Sequence, residues 1–166
     1  MKRLLITLAL FIPIIVMAQD GSPIDKLFNK YANRDGFTTV NISGALLNLA
    51  GKFSDDKNSE ASALEKISGI RILSVDDKSL NKGLNFYKEL EADGFFANNK
   101  YETLMEVTDK NEVVRFYGRK SEKGKLSELL LVIGGDDNTL ISIRGVIDPS
   151  DIGKITGSLN LDVKVK

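Results

Sequence analysis

Two aspartates follow two glycines in Gly134-Gly135-Asp136-Asp137, and Asn138 comes directly after them. Three side chains with oxygen donors in a row could begin a calcium site, which is built from carboxylates and amide carbonyls. No run of spaced acids followed by a Glu completes a loop of the EF-hand type, so the donor set stays incomplete. Apolar runs flank the stretch on both sides, LLLVI before it and TLISI after it. Gly134, Gly135 and Asn138 tolerate positive φ, and the aspartates would solvate a tip. The residues are therefore read as the tight turn of a β-hairpin. Upstream, Arg115 and Tyr117 offer a guanidinium and a phenol, and Arg144 offers a second guanidinium downstream. Such groups suit contact with an anionic or polar partner. Arg115, Tyr117, Gly134, Gly135, Asp136, Asp137 and Arg144 are the expected binding set.

A Gly-Gly-acid-acid-Phe turn also marks the cyclases that make cyclic dinucleotides. Here Asn138 stands in place of the Phe, and the preceding helical region lacks the rest of that pattern, so the motif is without its context. The chain has no His, no Cys and no Trp. A Ser-His-Asp triad, a Cys-His pair and a His or Cys zinc site are excluded outright. Carboxylates, Lys and Tyr remain for acid-base work, and each would need a buried, perturbed site to act near neutral pH. The expectation is a protein that is not an enzyme and uses no cofactor or metal. Asp55-Asp56-Lys57 and Asp76-Asp77-Lys78 repeat an acidic element, in loops where charge is expected. Phe86-Tyr87 and Phe95-Phe96 suit core packing, or a small-ligand pocket between Tyr87, Phe95, Phe96 and a sheet. The stretch from Lys110 to Lys125 holds a basic excess of Arg115, Arg119, Lys120, Lys123 and Lys125, interrupted by Glu112 and Glu122, and reads as a solvated strand and hairpin.

These residues need elements to hold them. Met1-Lys2-Arg3, an apolar run from Leu4 to Met17, and Val16-Met17-Ala18 predict a leader over residues 1–18, cleaved after Ala18. The run is short for a membrane span, which takes about 20 residues. The expected contact with a membrane is through the leader alone, before its removal. The remaining 148 residues, 19–166, suit one domain with its own core. Without Cys the leader is not of the lipoprotein type, which needs a Cys directly after the cleavage site, and no disulfide can form, so that core must supply the stability. Across those residues 21 basic and 23 acidic side chains give a net charge of −2 and no electrostatic reason to bind nucleic acid.

Ser22-Pro23-Ile24-Asp25 opens a helix, with Ser22 as its cap and Ile24, Leu27, Phe28 and Tyr31 along one face. Phe37 to Ile42 alternates as a strand and runs into a helix capped by Ser43. Lys52 to Glu60 is polar without a period and reads as a loop. Ile70 to Val75 is a second strand. Leu80, Leu84, Tyr87 and Leu90 predict one helix from Ser79 to the break at Asp93-Gly94. From Tyr101 the period becomes two. Tyr101–Thr108, Glu112–Gly118, Leu126–Ile133 and Thr139–Ile147 are four strands whose short connections make an antiparallel meander. Asp148-Pro149 starts a last helix, and Asn160 to Lys166 is a tail or edge strand.

The fold class that follows is α+β: one domain, a largely antiparallel sheet with a C-terminal four-stranded meander, and helices mainly on one face. The other face should be more polar or covered by a partner. Glu102, Glu106, Arg115, Tyr117, Ser142 and Arg144 are expected on or near it.

The segments IDKLFNKY, GFTTVNIS, YETLMEV and SELLLVIGGDDNTLISIRGVIDPSDIGKI together resemble family 4252 of the domains of unknown function. The resemblance runs from Ile24 to about Ile155 and is densest from Ser127 onward. It implies a small exported envelope protein of Bacteroidetes type, periplasmic or at the cell surface, and supplies no activity or catalytic residue. The functional expectation is a protein-interaction module whose partner is another envelope protein, with a small-ligand-binding periplasmic protein as the alternative and a carboxylate-based enzyme as a remote one.

Overall fold

The computed structural model describes residues 22–53, 63–121 and 124–158. The leader expected over residues 1–18, the loop residues 54–60 with Asp55-Asp56-Lys57, and the tail 160–166 lie outside the described residues. Six strands, β1 (Phe37–Ser43), β2 (Ile67–Val75), β3 (Tyr101–Thr108), β4 (Glu112–Lys120), β5 (Leu126–Gly135) and β6 (Thr139–Ile147), form one sheet in the order β1-β2-β6-β5-β4-β3. Every neighbouring pair is antiparallel. The meander β3 to β6 stands as its alternation predicts, and the β1–β2 hairpin joins it along β6.

The helices are α1 (Asp25–Tyr31), α2 (Gly44–Phe53), α3 (Lys78–Gly83), α4 (Phe86–Ala92), α5 (Phe95–Asn98) and α6 (Ile152–Ser158), the last preceded by a 3₁₀ turn, Pro149–Asp151. Ser43 Oγ accepts from Leu46 N at 3.3 Å, the expected cap of α2. Asp148 caps the 3₁₀ turn through Ser150 N at 3.0 Å. The single helix expected from Ser79 to the Asp93-Gly94 break is instead two. Asp77, not Ser79, caps α3 by accepting from Ser79 N and Leu80 N, and Leu84 then turns extended at φ −113°, ψ 151°. Asn85 starts α4 by accepting from Lys88 N. A side chain that offers the backbone an alternative acceptor outcompetes continued helix there.

Two apolar clusters sandwich the sheet. On one face Ile24, which precedes α1, Phe28 of α1 and Phe86 and Leu90 of α4 bury themselves against Leu73, Leu130, Val132 and Leu140. Each such fully buried side chain stabilises by about 1.5–3 kcal/mol. On the other face Val114, Phe116, Leu129, Leu131, Ile141 and Ile143 pack with Leu47 of α2, Ala63 and Ile155 of α6.

This arrangement corrects the expectation of a polar open face. Cross-strand register puts Arg115 beside Val132, Tyr117 beside Leu130, Ser142 beside Arg71 and Arg144 beside Glu128, all on the face that α1 and α4 cover. Glu106 joins them opposite Arg115, whereas a bulge between Thr103 and Met105 leaves Glu102 on the apolar side, opposite Gly118. The second face is apolar because β5 reads Leu129 to Ile133 without a polar residue, the mark of a strand buried on both sides.

Candidate functional site

The Gly-Gly-Asp-Asp stretch is the connection between β5 and β6, and both glycines have a steric reason. A Cβ on Gly134 would stand 2.5 Å from Asn85 Oδ1 and 2.9 Å from Tyr87 N, so the start of α4 can lie this close only over a glycine. Gly135 has φ +138°, and a Cβ there would meet Asn111 O at 1.9 Å. Gly134 does not adopt positive φ, nor does Asn138, which is buried and works through its side chain. Asn138 Oδ1 accepts from Phe86 N at 2.8 Å, and Nδ2 donates to Asn81 Oδ1 at 3.0 Å and to the carbonyls of Leu84 and Gly135 at 3.2 Å. Asn81 donates onward to Val75 O at 3.1 Å. The hairpin is thereby fixed to the α3–α4 junction.

Between them opens a cleft of about 830 Å³. Lys78 and Lys82 of α3 and Lys88 of α4 line one side; Asp109, Lys110, Glu112, Asp136 and Asp137 line the side made by the β3–β4 turn and the hairpin. Leu84, Val113 and the glycine backbone lie between. Burial pushes the Glu112 carboxyl up, and the charges of Asp137, Asp136 and Asp109 push it further. Among the described residues no three or more carboxylates come together at one point able to hold a metal ion.

Of the expected binding set, Gly134 to Asp137 line this cleft. Arg115 and Tyr117 sit farther along β4, under α4. Arg115 donates to the hydroxyls of Tyr87 and, at 3.3 Å, Tyr117, and to Glu106 at 2.9 Å, with its guanidinium 4.2 Å from the centre of the Tyr87 ring. Burial, then the bond to Glu91, pushes the Tyr87 hydroxyl up to about 12. The pocket expected between Tyr87, Phe95, Phe96 and the sheet is filled by rings: Phe96 stacks on Tyr117 at 4.0 Å and Phe95 on Tyr101 at 5.4 Å. Arg144 lies near the far end of β6, roughly 17 Å of strand from Thr139, where it and Arg71 both donate to Asp25, at 3.0 and 2.6 Å. The structure therefore does not bring Arg144 to the hairpin.

A second polar site, which sequence reasoning misses, centres on Glu128. That side chain is fully buried. Its Oε1 accepts from Ser142 Oγ at 2.5 Å, and its Oε2 from Ser22 Oγ at 2.5 Å and Tyr101 Oη at 2.7 Å. Arg119 Nε completes an ion pair at 3.5 Å. Burial, and next the carboxylate of Glu128, drive the Tyr101 hydroxyl far above its ordinary value. Ser22 thus binds the core instead of capping α1, whose N-cap position falls to Ile24. The group holds the start of α1 to the sheet. Its signal in the sequence is Glu128 next to the unbroken apolar run of β5.

No curated protein matches this chain significantly, and no solved structure does. A family model, Domain of unknown function (DUF4252), matches residues 31–155, from the last residue of α1 into α6. With three quarters of its length inside that match, the chain belongs to the DUF4252 family.

Proposed function

We propose that this protein is an exported, non-catalytic interaction domain that takes an extended segment of another envelope protein along the free edge of β3. The observation that carries this reading is the pair Leu104 and Met105, 46% and 43% exposed on a strand that has no neighbour on its outer side among the described residues. Met105 opposes Phe116, and Leu104 Cδ1 lies 3.1 Å from where a Cβ on Gly118 would be, so the bulge turns both toward the apolar face. An edge with unpaired backbone groups and adjacent apolar side chains is the template that strand addition uses. The absence of His and Cys from the sequence supports a non-catalytic role.

A photoreactive residue at position 105, with a somewhat more exposed control at position 146, tests it in intact cells. One envelope protein captured from position 105 and not from 146, with slowed amide exchange along β3 in the purified complex, is expected. Equal capture from both positions, or capture from neither, overturns the reading. The alternative, a small-ligand-binding exported protein, is favoured by the cleft at the hairpin end.

A further inference from the structure

We propose that the cleft between the hairpin and the α3–α4 junction binds a short peptide with free termini, its ammonium against Asp136, Asp137 and Glu112 and its carboxylate against Lys82 and Lys88. The inference rests on the ligand-binding reading and names the class of ligand. The cleft volume of about 830 Å³ is in the range of small-molecule sites. The side of α3 and α4 carries three lysines, and the other carries four carboxylates with Lys110 among them, so their net charges are opposite. Yet among the described residues no ion pair within 4.0 Å joins Lys78, Lys82, Lys88 or Lys110 to Asp109, Glu112, Asp136 or Asp137. Each side therefore keeps its charge for another molecule. A polyanion such as a nucleotide would satisfy the lysines and meet Asp136 and Asp137 with like charge, and a simple cation would do the converse. A zwitterion uses both sides at once. Leu84 and Val113 give the middle of the chain an apolar surface.

Two further observations agree. Glu112 is destabilised as an anion first by burial and then by the acids around it, and an ammonium among them would relieve the second part. The frame is also rigid on both sides: Asn138 ties the hairpin to Phe86 N and Asn81, and Asn85 caps α4. A site built on locked elements costs little ordering when it binds.

The test is calorimetric titration of the purified protein with trialanine, N-acetyl-trialanine, trialanine amide and the doubly blocked peptide, alongside a thermal-shift screen of a general small-molecule library. Trialanine should bind, and blocking either end should weaken it about fivefold, the upper end for a partly exposed charge pair. Asp136→Asn with Asp137→Asn should weaken trialanine by a similar factor and leave N-acetyl-trialanine unchanged. Equal binding of free and doubly blocked peptide, or library hits without any response to peptide, overturns the peptide proposal while ligand binding stands. If neither peptide nor library compound stabilises the protein, both fall.

Discussion

The side-chain amide of Asn138 donates to Oδ1 of Asn81 across 3.0 Å, although 57 residues separate them. That bond joins the β5–β6 connection to α3, and the other bonds of Asn138 join it to Leu84 and Phe86. Asn138→Ala would leave Phe86 N, Leu84 O and Asn81 Oδ1 short of a partner in a buried place. The expected loss is about 2–4 kcal/mol by urea denaturation. Asn138→Asp should lose nearly as much, because it keeps the acceptor and removes both donors.

Glu128 collects three hydroxyls and Arg119 in the core. Glu128→Ala strands all of them and should destabilise by about 3–5 kcal/mol, as does removal of one member of a buried charge pair. Ser22→Ala removes one donor of three and should cost about 1 kcal/mol. Equal losses for the two variants would show that the network does not centre on the carboxylate.

Gly134→Ala must push Asn85 and Tyr87 away, since its Cβ would stand 2.5 and 2.9 Å from their atoms. Overpacking of this kind costs about 1–3 kcal/mol. In a domain of this size that lowers Tm by roughly 2–4 °C for each kcal/mol. Gly83→Ala is the control, because nothing lies within 4 Å of its Cβ position.

Glu112 should make stability depend on pH in the opposite sense to an ordinary paired carboxylate. Its folded pKa is raised above its ordinary value, so the folded state binds the proton more tightly than the unfolded chain. The penalty for its charge is then absent below the unfolded pKa and complete above the folded one. Glu112→Gln should raise Tm at neutral pH, and that advantage should shrink as pH falls through the carboxylate range. Asp77, Asp148 and Asp151, whose carboxyls are held low by hydrogen bonds to Ser79, Ser150 and Lys66, should meanwhile lose their contribution as pH falls through their lowered values. Subtracting the parent protein's Tm from that of the Glu112→Gln variant at each pH cancels this shared loss.

The meander is legible in the sequence because strand-length runs, alternating in β3 and β4 and continuously apolar in β5, recur from Tyr101 to Ile147 with short breaks between them, and the caps Ser43 and Asp148 are legible because their side chains do one local job. Local chemistry also misleads. Leu80, Leu84, Tyr87 and Leu90 share helical spacing, but spacing carries no information about Asn85, whose side-chain carbonyl opens a new helix at Lys88 N. Ser22 looks like a cap because a distant carboxylate, 106 residues on, cannot be seen from its neighbours. Arg115 and Arg144 are misplaced for a different reason. Charge suggests an open face for them, while the unbroken Leu129 to Ile133 already requires both faces of β5 to be covered. The same run marks Glu128 as buried. The Asp-Asp pair points to the hairpin end, but the lysines opposite it come from α3 and α4, and nothing in their own segments shows what they face.

The place of β6 in the sheet governs the order of events as the chain folds. It is the last in sequence of the six strands, and it lies between β2 and β5, so the early hairpin β1–β2 has nowhere to dock until residues 139–147 exist. Arg144 of the same strand then closes on Asp25, 119 residues earlier. Contacts this distant form slowly because their loops must close first. A chain lengthening from its N-terminus thus withholds its own completion, remaining an unjoined hairpin and partial meander until β6 arrives.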